Sequence, residues 1–63
     1  EEKLKFNFGK CCIKLGKFED AERNLKDNSY LKISDNVIEV AKLYEEAEQL
    51  KIAIQYYKSA LHV

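Results

Sequence analysis

The sequence predicts an all-α chain of about four helices, folded as two antiparallel hairpins. Three observations carry this. The 63 residues include no proline and only two glycines, too few turn signals for a β-sandwich or barrel. Apolar residues recur at steps of three and four, the spacing of one helix face. The second half of the chain also repeats the first at a step of 32 residues, so that Phe8 falls on Val40.

Residues 2–15 read as the first helix, with Leu4, Phe8, Cys11, Cys12 and Leu15 as its apolar face. Gly16 follows and suits a left-handed C-terminal cap. The second helix starts near Phe18, with Glu19 and Asp20 in its first turn where the macrodipole favours acids, and it buries Phe18, Ala21 and Leu25. The weak helix formers Asp27-Asn28-Ser29 end it. Tyr30 to Ile33 form a connector whose apolar members cover the open end of the hairpin. Ser34 or Asp35 suits the N-cap of a third helix, which carries Val37, Val40, Ala41, Tyr44 and Ala47 on one face. The fourth helix runs from about Leu50 to the end, with Leu50, Ala53, Ile54, Tyr57, Ala60 and Leu61 inward. Its break from the third near Glu48-Gln49 is inferred from the first half alone. One long bent helix is the competing reading.

Composition sets the function classes. At 46% hydrophobic and 35% charged residues the chain is too apolar for a disordered segment. Eleven basic and eleven acidic residues cancel, which removes the electrostatic footprint of a nucleic-acid binder. The charge is uneven: residues 1–33 hold eight bases and six acids, residues 34–63 three and five, so the halves are +2 and −2. No apolar run reaches the roughly 20 residues that span a bilayer, and no signal-peptide core is visible. The chain opens Glu1-Glu2-Lys3 and still reads as helix at Val63, as an excerpt of a longer protein would. Cys11 and Cys12 are neighbours and cannot staple distant segments. The expectation is two reduced thiols in an intracellular, cytoplasmic protein, with a ciliary or nuclear assembly also compatible.

Sliding the halves over each other also puts Gly9 on Ala41, Cys12 on Tyr44, Phe18 on Leu50, Ala21 on Ala53 and Leu25 on Tyr57. Large falls on large and small on small. A helix-turn-helix unit repeated at this period is the mark of a helical solenoid. In its bulky residue, large-small pair, aromatic and second-helix alanine, the sequence resembles the tetratricopeptide repeat family over about residues 3–63. The units are residues 1–33, a first hairpin plus connector, and residues 34–63, a second hairpin. Departures are Lys5 for a leading bulky residue, Asn28 for an alanine, Ile33 for a proline and Glu48 for the turn glycine. The step of 32 differs from the family's roughly 34.

The resemblance implies a protein-binding α–α superhelix whose first helices line a concave groove. The matching outward positions are Lys3, Phe6, Lys10, Ile13 and Lys14 in the first unit, and Asp35, Ile38, Lys42, Glu45 and Glu46 in the second. Lys3, Lys10, Lys14 and Lys17 read independently as a basic stripe. The candidate site is therefore Lys3, Phe6, Lys10, Ile13, Lys14, Ile38 and Lys42, binding an acidic protein segment with apolar anchors. The competing reading is a solvated lysine face with Lys14 paired to Glu46. Phe6 stands where a chaperone-type carboxylate clamp would need a lysine, so that activity is not carried over. Tyr44 and Tyr57 read as core; Tyr56 points off that face.

Catalysis is not expected: there is no glycine-rich phosphate loop, and Glu45 and Glu46 diverge by about 100° on a helix. The lone His62 lies far along the chain from Cys11 and Cys12, and its place in the last helical turn has an ordinary dipole explanation. No cofactor, metal or small-molecule substrate is expected. The leading function is a scaffold segment of a multi-subunit assembly. The alternatives are a substrate-recruiting array attached to a catalytic domain, and, against the charge balance, a nucleic-acid-binding repeat. Two units bury too little apolar surface to be robust alone, so the chain should stack on further repeats or on a partner. Calorimetry of the isolated monomer should show no cooperative transition well above room temperature.

Overall fold

The computed structural model describes residues 1–63. Four α-helices follow one another: α1 (Glu2–Lys14), α2 (Phe18–Leu25), α3 (Ser34–Glu46) and α4 (Leu50–Ala60), with a 3-10 turn at Ser29–Lys32 between α2 and α3. No strand is present. α1 packs on α2 and α3 on α4 as antiparallel hairpins, and α3 lies against α1 and the 3-10 turn.

α1 begins at Glu1, whose carboxylate accepts the amides of Lys3 at 2.6 Å and Leu4 at 3.3 Å. This satisfies two of the amides that a helix start leaves unpaired. At its C-terminus Gly16 takes φ +79°. The Lys17 amide then reaches back to the Cys12 carbonyl at 2.8 Å, and the Gly16 amide to Ile13 at 3.0 Å. This pair of bonds is a Schellman cap. The same cap recurs 32 residues on: Gln49 to Tyr44 at 2.9 Å and Glu48 to Glu45 at 3.0 Å, with Glu48 at φ +61°. Two hairpins therefore form, and one long bent helix is excluded. A left-handed backbone is strained for a residue with a Cβ, and Glu48 carries that strain where Gly16 does not.

The connector closes the open end of the first hairpin through Asn28 as much as through apolar cover. Buried Asn28 donates to the Glu2 and Asn24 carbonyls at 3.1 and 3.3 Å, and accepts the Tyr30 amide at 2.9 Å. Tyr30 stacks on Phe6 with centroids 5.4 Å apart. Ile33, expected to help, is exposed. It is also the N-cap of α3, with no side-chain acceptor, in place of Ser34 or Asp35, which lie inside the first turn. Asn36 ties α3 to the connector instead, donating to the Tyr30 carbonyl at 2.9 Å.

The core joins Phe6, Cys12, Ile13, Ala21, Leu25, Val40, Tyr44 and Ala53. Gly9 lets α1 approach α2 closely, since a Cβ there would lie 2.9 Å from Leu25 Cγ. Ala21 and Leu25 of α2, and Val37, Val40, Ala41 and Tyr44 of α3, are buried as the periodicity predicts. Two helices correct the expectation. α1 buries Phe6, Gly9, Cys12 and Ile13, while Leu4, Phe8, Cys11 and Leu15 face outward. α4 buries only Ala53; Leu50, Ile54 and Leu61 are exposed. The physical reason is the same in both: these stripes lie on sides of the stack that no neighbour covers.

The matched caps make a matched pair of substitutions informative. Glu48→Gly should raise stability by about 1 kcal/mol by relieving the left-handed strain, and Gly16→Ala should lower it by about the same amount. Thermal denaturation followed by circular dichroism measures both.

Candidate functional site

The interface between the hairpins is organised around Tyr44. Its ring lies against Phe18 at 5.9 Å and stacks on Tyr56 at 5.5 Å. Its hydroxyl donates to Glu22 Oε2 at 2.6 Å, and the Tyr56 hydroxyl donates to the same oxygen at 2.9 Å. One carboxylate on α2 thus holds phenols of α3 and α4. Burial is the main cause lifting both phenols far above the ordinary value of 10.0, and the Glu22 carboxylate adds to it. Tyr56, expected to point off its hairpin's face, stacks on Tyr44 of the same hairpin and reaches the first hairpin through its hydroxyl. Tyr57 donates to Glu45 Oε1 at 2.8 Å, and that acceptor raises its phenol.

The expected groove residues separate. Phe6 and Ile13, proposed as apolar anchors for a ligand, are 4% and 0% exposed and belong to the core. The cause is that α3 and the connector lie on that side of α1 and cover it. Lys10 is engaged from within: its Nζ sits 2.8 Å from Glu39 Oε2 and 4.6 Å above the Phe6 ring. The ion pair across the hairpins is thus Lys10–Glu39, and no Lys14–Glu46 pair forms, although both flank a shallow cleft with Leu43 and Ala47. Lys3, Lys14 and Lys42 are exposed, and Ile38 is half-buried. The expected groove therefore presents lysines without two of its three assigned anchors, Phe6 and Ile13.

Apolar surface is concentrated instead at the two ends of the stack. At the first end Leu4, Phe8 and Cys11 line a groove with Lys5, Asn7 and Asn24. At the other, Ile38, Ile54, Tyr57, Ala60 and Leu61 line a groove with Lys58. The 32-residue step shows what these surfaces are. Phe8 is 59% exposed while its counterpart Val40 is 0% exposed inside the inter-hairpin contact. At the opposite edge Ile38 is half-exposed and its counterpart Phe6 is buried. Each hairpin has two apolar edges, and the internal interface consumes one from each.

Comparison with family models, with curated proteins and with solved structures finds no match for this chain. The end surfaces were readable as apolar positions but not as exposed ones. α1 carries two apolar stripes, and its periodicity alone does not say which is covered.

The Tyr44 and Tyr56 contributions have a defined pH dependence. Because folding raises both phenols, their stabilisation is whole below pH 10, the unfolded value, and is lost progressively as the pH climbs above it. Helicity should fall at alkaline pH above that value, measured by circular dichroism beside tyrosinate absorbance. Tyr44→Phe should cost about 1 kcal/mol near neutrality through the lost hydrogen bond.

Proposed function

We propose that this chain is a protein-binding scaffold segment of a multi-subunit assembly, engaging its neighbours by stacking helical hairpins on its two ends. The single observation that carries the reading is the exposure of the same repeat positions that are buried between the hairpins, Phe8 against Val40 above all. Apolar edges left open in this way mark interaction sites. The two Schellman caps 32 residues apart support the resemblance to tetratricopeptide repeats from which the reading started. Stacking is favoured over groove binding because Phe6 and Ile13 are in the core and Lys10 is held by Glu39. The two free thiols, Cys11 and Cys12, accord with an intracellular setting.

Lysines mark the competing surfaces and make the test direct. Lys5 borders the first end and Lys58 the second, while the exposed Lys3 and Lys14 belong to the expected groove. Amine-reactive cross-linking of the native assembly, read by mass spectrometry, should place links from other helical segments at Lys5 and Lys58. Links confined to Lys3 and Lys14 would overturn stacking in favour of the groove.

A further inference from the structure

We infer that the open edge of the second hairpin docks the first hairpin of a second copy of this chain, head to tail, in the register of the internal interface. This rests on the stacking reading above and names its partner. The internal interface supplies the template, since it already shows which hairpin edge covers which. Advancing every residue by 32 positions on one side of that interface, and moving back 32 on the other, gives the contact between copies.

The exchanged residues change together. Inside the chain Glu22 accepts hydroxyls from Tyr44 and Tyr56. In the contact between copies Ile54 stands in the place of Glu22, and Cys12 and Asn24 stand in the places of the two tyrosines. The acid disappears on one edge at the position where both phenol donors disappear on the other. An acid without donors, or phenols without an acceptor, would have left a buried polar group unpaired. The side-chain NH2 of Asn24 already donates to the Asp20 carbonyl at 2.8 Å. The ion pair is exchanged on one side only. Lys10 meets Glu39 internally at 2.8 Å, whereas its counterpart Lys42 keeps its charge and meets Asn7, whose side-chain carbonyl is a neutral acceptor.

Apolar residues fill the remaining positions. Leu50 replaces Phe18 on the docking edge, and Phe8 replaces Val40 on the receiving edge. Leu50, Ile54 and Phe8 are all more than half exposed in the single chain, at 58%, 52% and 59%. The whole chain is neutral, so copies do not repel one another through net charge, and the contact continues the edge-to-edge packing already formed between the two hairpins. A contact between two different patches does not close by two-fold symmetry, so copies add in an open series.

The purified chain should show a mass that rises with concentration without stopping at two copies, by sedimentation equilibrium. Phe8→Asp and Ile54→Asp each place a charge on one edge, at positions exposed enough to leave the hairpins folded, which circular dichroism checks. Each variant alone should associate at least ~100-fold more weakly than the unsubstituted chain. Mixed in equal amounts they should form a one-to-one pair and nothing larger, because each retains the edge that the other lacks. A dimer that stops at two and survives either substitution would overturn the inference, as would a mixture with no pairing. A chain that is monomeric at every concentration overturns it too. Cross-links at Lys5 and Lys58 to other proteins would then still stand for the stacking reading, so the two failures are told apart.

Discussion

The seating of Tyr44 between the hairpins is the contact on which the rest of the structure depends. α1 with α2, and α3 with α4, are each held by their own side-chain faces, but their mutual placement requires something that spans three helices. The Tyr44 ring does this, flanked by Phe18 and Tyr56, with no exposed surface. Its hydroxyl would be costly to bury without a partner, and Glu22 supplies one from the first hairpin. Sharing that acceptor with Tyr56 ties α4 into the same contact. A phenylalanine at this position would fill the space and leave the register of the hairpins less defined.

That register has a consequence at the ends of the stack. A helical hairpin built on one repeat pattern carries two apolar edges, and a pair of hairpins covers only the two that face each other. The uncovered edges here hold Leu4, Phe8 and Leu15 on one side, and Ile54 and Leu61 on the other. The expected groove behaves differently, because Phe6 and Ile13 are already covered and Lys10 is neutralised within the fold.

The caps illustrate how one geometry is reached from unlike residues. Gly16 enters the left-handed region without cost, whereas Glu48 does so under strain, yet both close the same pair of hydrogen bonds. Tertiary packing of α3 and α4 exceeds the local penalty, which is of order 1 kcal/mol. A rule that ends helices only at glycine would miss the second turn, and register with the first half recovers it.

Particular residues show how far the sequence reaches. The four helices, the connector and the buried faces of α2 and α3 were legible because each rests on local chemistry: helical spacing, cap residues, weak helix formers and the 32-residue step. Phe6 and Ile13, Lys10, and the stripe from Leu4 to Leu15 were not, because their surroundings belong to segments far along the chain. α1 is apolar on two sides, and only the arrival of α3 and the connector decides that the Phe6 side is core and the Phe8 side is surface. The same event commits Lys10 to Glu39 and Tyr44 to Glu22, 29 and 22 residues away. By itself the sequence determined an all-helical chain of about four helices, since periodicity is written along one helix. The tertiary structure decided which edges are covered and which stay exposed, since exposure depends on what else folds beside them.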